Sequence, residues 1–167
     1  MSRIAAVREM LGDGRVGFLI DEEMRGTHHF VVDRGVAGEQ PFVFRVTWGS
    51  KHLGKFLNPM DAEFMTAFLR GTVTVGGLCE EAECAGSLEL RYFTEAKIRY
   101  TFDFEVAGRR YRYVGEKRDL RPWNLHRTHT TCFGTLTDLA EGDLISESIT
   151  RFRLATAPAF LTSFRLA

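Results

Sequence analysis

Hydrophobic and polar residues alternate along much of this chain with a period of two. The clearest run spans residues 97–106, where every even position is apolar and every odd position is charged or carries a hydroxyl group. Residues 42–48 and 88–92 repeat the pattern. Because successive side chains of a strand point to opposite faces, each run predicts a half-buried β-strand. A helix would instead spread the charges of residues 97–106 around its whole circumference.

The rest of the chain predicts further strands with short connections. Candidate strands lie at 16–20, 24–32, 51–57, 69–75, 125–137 and 143–154. A hairpin is predicted around Ala107-Gly108-Arg109, where the glycine can adopt a positive φ, and Tyr111 and Tyr113 continue the returning strand. About nine or ten strands without βαβ spacing favour an all-β fold. A closed antiparallel up-and-down barrel is the preferred architecture, because closure removes exposed strand edges.

Short helices are predicted at three places around this barrel. Residues 2–11 carry apolar residues at helical spacing, Asp61 can cap a short helix over 61–68, and a C-terminal helix follows Pro158 through Phe164. Such helices often cover a barrel end. No internal repeat or linker divides the sequence, so residues 1–167 are predicted to form one domain.

Aromatic residues are predicted to line much of the barrel interior. Of the 167 residues, 14 are Phe, and they are spread along the chain rather than collected in one segment. The aromatic residues predicted to point inside, and so to line a ligand site, are Phe44, Trp48, Tyr92, Tyr100, Phe102, Phe104 and Tyr113. The tyrosine hydroxyls could orient the polar group of a bound hydrophobic molecule. The alternative is a core that these side chains fill by themselves.

Histidine offers the main candidate for polar chemistry inside the barrel. His28 shares a strand face with Met24 and Phe30, so it is predicted to point inward. An inward imidazole, from His28 or from His129, could bind a ligand, coordinate haem iron or act as a general base. The alternative is a core histidine that a neighbouring hydroxyl satisfies. Histidines that are adjacent or three apart in one strand point to opposite faces, so neither a metal site nor a cofactor is predicted.

Neither the cysteines nor the carboxylates form a catalytic or metal-binding motif. Cys79, Cys84 and Cys132 are predicted to be free thiols, although a hairpin tip at residues 80–83 would allow a disulfide between the first two. Their spacing does not fit a zinc site. The acidic residues at 22–23 and 80–83 are interpreted as solvated, and no nucleophile motif occurs, so catalysis is not predicted.

Charge argues against nucleic-acid and membrane partners. The 22 basic and 22 acidic residues cancel, which leaves no overall field that would attract a polyanion. The arginines of residues 109–113 alternate with tyrosines, and Asp103, Glu105 and Glu116 can neutralise them across strands. No stretch approaches the roughly 18 apolar residues of a membrane span, and the charged N-terminal residues do not fit a signal peptide. The cytoplasm is therefore the predicted location.

Several segments resemble a known family. Phe18–Gly26 is similar to an F-x-E-x-M-x-G opening, Leu69–Thr74 to an L-x-G-T-V strand, and Tyr111–Lys117 to a Y-x-L-x-G-x-K strand. Trp123 and the threonines that follow it resemble a W-x-D-T-T-T-L stretch, and residues 143–165 resemble a strand followed by F-x-x-S-F. In these motifs the chain resembles the lipocalin-like barrel domain that accompanies bacterial cholesterol-oxidase-like flavoproteins of the glucose–methanol–choline family.

The resemblance extends over about residues 16–165 and implies a lipocalin- or calycin-like barrel with a connection to lipid or steroid metabolism. The chain departs from the family pattern where His126 and Arg127 precede the threonines in place of an acidic residue. The resemblance brings no catalytic residues to this chain. It also brings no redox activity, because the flavin-binding fingerprint of the companion enzyme does not occur in the sequence.

Three functions are consistent with the sequence. The preferred one is a non-catalytic module that binds a hydrophobic small molecule, lipid- or sterol-like, inside the barrel. The second is a small barrel enzyme that uses an inward His28 or His129 with a carboxylate as an acid–base pair on an apolar substrate. The third is an interaction domain with a filled core that serves a partner oxidoreductase or hydrolase. The sequence also leaves open a homodimer.

Overall fold

The computed structural model describes residues 16–121, 123 and 130–152, together with the backbone of residues 165 and 166. Nine strands and two short helices form in these residues. The strands are β1 (Phe18–Phe30), β2 (Gln40–Ser50), β3 (Thr66–Val75), β4 (Cys79–Arg91), β5 (Lys97–Val106), β6 (Arg109–Lys117), β7 (Thr131–Asp138), β8 (Leu144–Phe152) and β9 (Arg165–Leu166). The helices are α1 (Leu53–Leu57), between β2 and β3, and α2 (Tyr92–Glu95), between β4 and β5.

Eight of these strands close into a barrel. Each strand from β1 to β8 pairs antiparallel with the next, and β8 returns to β1, where Met24 lies opposite Phe152. β9 pairs with β1 at Phe18 and Leu19, beyond the point where β8 ends. The prediction of an all-β fold with a closed antiparallel barrel is therefore confirmed. Eight strands form its wall, and the ninth adds to one end of β1.

The two ends of the barrel differ in their connections. We call one the hairpin end, where the strands are joined by the segments 31–39, 76–78, 107–108 and 139–143. We call the other the helix end, where α1 and α2 lie and where the segment 118–130 joins β6 to β7. The turn Ala107–Gly108 has positive φ at both positions, as a tight type I′ hairpin requires, and it confirms the predicted hairpin.

β1 is one continuous strand rather than the two predicted at 16–20 and 24–32. The acidic residues in its middle do not interrupt it. Glu23 lies on the outer face and accepts a hydrogen bond from Arg45 over 2.6 Å, whereas Glu22 is buried inside the barrel. The predicted helices at 2–11 and after Pro158 lie outside the described residues.

Two predictions between residues 51 and 68 are wrong. The predicted strand 51–57 instead contains α1, because its Phe56 packs over the barrel end, with its ring 5.0 Å from the ring of Phe18. The predicted helix over 61–68 is a series of turns, after which β3 begins at Thr66. Ala67 and Leu69 are both buried, and a spacing of two residues suits a strand rather than a helix.

The acidic run at 80–83 is part of β4 rather than a loop or hairpin tip. The turn between β3 and β4 lies at residues 76–78 instead. Cys79 and Cys84 therefore lie on the same strand rather than on the two arms of a hairpin. All three cysteines are free thiols, as predicted.

Aromatic rings fill the middle of the barrel. The rings that meet there come from β2, β5 and β6, and they are Phe42, Phe44, Phe102 and Tyr113, all fully buried. Phe102 and Tyr113 have ring centroids 4.8 Å apart. Gly115 and Gly134 face each other across β6 and β7 and leave room for the Tyr113 ring. A Cβ atom on Gly134 would lie 2.2 Å from the Tyr113 hydroxyl oxygen, so this position requires glycine.

Candidate functional site

A carboxylate lies inside the barrel. Glu22, on β1, is 7% exposed. Its carboxylate accepts three hydrogen bonds, from Trp48 Nε1 over 3.1 Å, from the Tyr100 hydroxyl over 3.0 Å and from Lys117 Nζ over 2.8 Å. These donors come from β2, β5 and β6, so the carboxylate connects strands on several sides of the barrel. A carboxylate with three donors is well satisfied.

Lys117, the last residue of β6, supplies the positive charge beside Glu22. Its side chain is 5% exposed. The ammonium lies 5.2 Å from the centroid of the Tyr100 ring and 6.0 Å from that of Phe152, and such ring faces stabilise a desolvated cation. Glu22 is the only hydrogen-bond acceptor that the described residues offer to this ammonium. Two of its three N–H donors therefore have no acceptor among those residues.

Strand alternation places both charged residues inside. Glu22 lies two residues from the fully buried Met24 on β1, and Lys117 lies four residues from the fully buried Tyr113 on β6. The interpretation of Glu22 as a solvated residue is wrong, because its side chain is buried. Three hydrogen-bond donors offset the cost of burying its charge. Sequence reasoning missed both residues. Their position in the alternating pattern is the signal that identifies them.

Half-buried apolar side chains gather at the helix end, where the pair lies. They are Ile20, Leu53, Leu90, Tyr92 and Phe152. Tyr92 begins α2 rather than ending β4 as predicted. Burial raises the pKa of Tyr92 to about 12, and the negative charge of Glu22 adds to the shift. Burial and Glu22 also raise the pKa of Tyr100 well above its ordinary value, so its hydroxyl stays protonated and can donate.

The structure distributes the predicted site residues along the barrel axis. Trp48, Tyr92 and Tyr100 lie at the helix end, Phe44, Phe102 and Tyr113 lie in the middle, and His28 and Phe104 lie toward the hairpin end. Phe104 stacks on Tyr111 there, with ring centroids 5.6 Å apart. His129 lies outside the described residues. The predicted residues therefore do not line one pocket. Only Trp48, Tyr92 and Tyr100 lie at the same end of the barrel as the Glu22–Lys117 pair.

His28 is a core histidine. Its Nε2 lies 2.9 Å from the carbonyl oxygen of Gly76, and its Nδ1 lies 2.6 Å from Ser146 Oγ. Because a carbonyl only accepts, Nε2 carries the proton and Nδ1 accepts from the Ser146 hydroxyl. Burial lowers the pKa of His28, which favours the same neutral form. The alternative of a core histidine satisfied by a hydroxyl is confirmed, and neither ring nitrogen is free for haem iron or for proton transfer.

Hydroxyl groups line the inner face of β8. Ser148 Oγ lies 3.5 Å from the Tyr113 hydroxyl, and Thr150 Oγ1 is buried without a hydrogen-bond partner among the described residues. Cys132, opposite Thr150 on β7, places its Sγ 3.8 Å from the same tyrosine hydroxyl. Burial raises the pKa of Cys132 to about 11, so it remains a thiol rather than a nucleophilic thiolate.

The outer surface carries solvated ion pairs. Asp103 accepts hydrogen bonds from Arg110 over 3.2 Å and from Arg112 over 2.7 Å, as predicted. Arg109 instead donates to Asp138 and Glu141, and Glu116 accepts from Arg99. Among residues 16–121 and 130–152, no three His, Cys, Asp or Glu side chains converge in a way that could hold a metal ion. In the described part of the chain, no helix has the length and apolar character needed to cross a membrane.

A groove of about 420 Å³ lies outside the barrel, across the outer faces of β6, β7, β8 and β1. Phe133 and Ile149 pair across β7 and β8 in this groove and are 45% and 47% exposed. Glu147 lies 3.9 Å from His29 nearby. Neither Glu22 nor Lys117 lines the groove, so the groove and the buried pair are separate candidate sites.

The fold places this chain among closed antiparallel β-barrels with an ionic cluster inside. Comparison with known proteins finds no matching family model, no similar curated protein and no similar solved structure.

Proposed function

We propose that this chain binds a hydrophobic small molecule, lipid- or sterol-like, at the helix end of its barrel. One observation carries the proposal, namely the Glu22–Lys117 pair buried beside half-buried apolar side chains. In this proposal the rings of Phe44, Phe102 and Tyr113 form the floor of the site, and Tyr92 and Phe152 belong to its walls. The connection with a partner oxidoreductase or hydrolase stays a prediction.

The energetics of the pair support a role beyond stability. Removing two charges from water costs several kcal/mol per ion, and hydrophobic residues of similar volume often stabilise a protein as well or better. A buried ion pair is therefore weak evidence for a purely stabilising role. Ligand sites combine apolar walls with a few convergent polar groups. Glu22, Lys117, Trp48 and Tyr100, with the apolar residues around them, have this composition.

Trp48 provides the reporter for a binding experiment. The other tryptophan, Trp123, is 72% exposed, so Trp123→Phe leaves Trp48 as the single emitter. Titration with the neutral hydrophobic probe N-phenyl-1-naphthylamine is expected to quench Trp48 emission saturably. Native mass spectrometry of the protein as purified is expected to show a retained hydrophobic molecule.

Two variants distinguish the inner site from the outer groove. Leu90→Trp places a larger side chain at the helix end and is expected to reduce probe binding. In this variant and in its control, binding is followed by the emission of the probe itself. Ile149→Trp, in the outer groove, is the matched control and is expected to leave binding unchanged. Loss of binding in the control alone would move the site to the groove. Absence of both saturable binding and a retained molecule would overturn the proposal in favour of an interaction domain with a filled core.

A further inference from the structure

We infer that the Glu22–Lys117 pair selects uncharged ligands that carry a hydrogen-bond acceptor, and that it rejects carboxylates such as free fatty acids. This inference rests on the proposed function, because it names the ligand chemistry of the same site. It follows from the hydrogen-bond inventory of the two side chains and from their summed charge.

The hydrogen bonds of Glu22 and Lys117 leave N–H donors, but few acceptor atoms, available to a ligand. Glu22 already accepts from Trp48, Tyr100 and Lys117. Lys117 uses one of its three N–H donors on Glu22, and the described residues offer no second acceptor to its ammonium. With a side chain only 5% exposed, Lys117 has little contact with solvent that could satisfy the other two. A ligand oxygen with no proton to donate, such as that of a ketone or an ester, fits these donors.

The charge of the site excludes an acid. Glu22 neutralises Lys117 at 2.8 Å, so the pair carries no net charge. A ligand carboxylate beside Lys117 would bring a second negative charge within a few ångströms of Glu22 in a desolvated interior. Such an arrangement forces one of two neighbouring carboxylates to take up a proton.

Three probes that share one hydrocarbon chain test this selectivity. They are methyl dodecanoate, dodecanoate and dodecane, each measured by displacement of N-phenyl-1-naphthylamine at neutral pH. In the unmodified protein, methyl dodecanoate is expected to bind at least about tenfold more tightly than either of the others, which corresponds to ~1.4 kcal/mol. In Lys117→Met, the ester is expected to lose its advantage over the alkane.

Glu22→Gln is the decisive variant. The substituted side chain has nearly the same volume as glutamate but no negative charge, so it no longer neutralises Lys117. Dodecanoate is therefore expected to become the preferred probe. Lys55→Met, which removes a lysine from an exposed ion pair with Glu63, is the matched control and should keep the original order. If Lys117→Met does not fold, the double variant Glu22→Gln/Lys117→Met removes both charges. Its neutral amide is a weaker donor than an ammonium, so the advantage of the ester over the alkane is expected to fall well below that of the unmodified protein.

The outcomes separate this inference from the proposed function. Equal binding of ester and alkane by the unmodified protein would overturn the inference while leaving a hydrophobic site in place. An unchanged preference for the ester over dodecanoate in Glu22→Gln would do the same. Failure of all three probes to displace the fluorescent probe, or failure of that probe to bind, would count against the proposed function itself.

Discussion

Removing one member of the buried ion pair should destabilise the barrel far more than removing a member of an exposed one. Lys117 Nζ lies 2.8 Å from Glu22 Oε1, with both side chains about 95% removed from solvent. Their Coulomb attraction is about 6 kcal/mol at an effective dielectric constant of 20. Lys117→Met removes that attraction and leaves the charge of Glu22 buried without its partner. Breaking a buried pair in this way typically costs about 3–5 kcal/mol, a large part of the stability of a typical domain.

Equilibrium unfolding in urea, followed by far-ultraviolet circular dichroism, measures this loss as a lower midpoint at constant slope. Lys55→Met is the control, because Lys55 and Glu63 form a lysine–glutamate pair at 3.2 Å with both side chains about half exposed. An exposed pair of this kind contributes at most about 1 kcal/mol. The double variant Glu22→Gln/Lys117→Met should regain about 2 kcal/mol or more relative to Lys117→Met. Equal, small losses in Lys117→Met and Lys55→Met would contradict this prediction, because the buried pair would then behave as an exposed one.

Three further outcomes follow from the barrel interior. His28 has a lowered pKa in the fold, so the unfolded chain binds its proton more readily. The contribution of His28 to the free energy of unfolding is therefore present above about pH 6.5 and is lost as the pH falls below that value. His28→Gln should flatten the dependence of unfolding free energy on pH between 7.5 and 5, and His29→Gln, at an exposed position, should not. Gly134→Ala should destabilise by about 1–3 kcal/mol through its clash with the Tyr113 ring, whereas the outward Thr135→Ala should leave the urea midpoint nearly unchanged. With a disulfide reagent at pH 8, Cys84 and Cys132, whose pKa values burial raises to about 12 and 11, should react only after unfolding, and fast labelling of Cys132 in the native protein would contradict its burial.

Strand alternation predicted most of the barrel wall. The runs at 42–48 and 97–106 lie in β2 and β5, and the hairpin at Ala107–Gly108 occurs where the glycine predicted it. Apart from the acidic run at 80–83, which lies in β4 rather than in a loop, the wrong elements lie between residues 51 and 68, where the runs are short. Five residues with apolar groups at Leu53 and Phe56 fit one helical turn as well as a strand, and only packing against Phe18 separates the two. Local periodicity carries no information about that contact.

The candidate site was harder to predict than the wall. Alternation places Glu22 and Lys117 on inward positions, but the general rule that charged residues face solvent outweighed it. Their pairing could not be read from the sequence at all. β1 and β6 are not neighbours in the sheet, so their side chains meet only across the interior. Which inward residues meet there depends on the diameter and stagger of the closed barrel.

The pairing of β1 with β8 has a consequence for the order in which the barrel assembles. During synthesis β1 leaves the ribosome first among the barrel strands, while β8 is the last of the eight that close the wall. One edge of β1 therefore remains unpaired until nearly all of the barrel has been made, and contacts so distant in sequence form slowly. An open edge of this kind invites pairing with other chains. The outward charges of β1, Asp21, Glu23 and Arg25, are the sort of residues that discourage such pairing while the nascent barrel waits for its final strand.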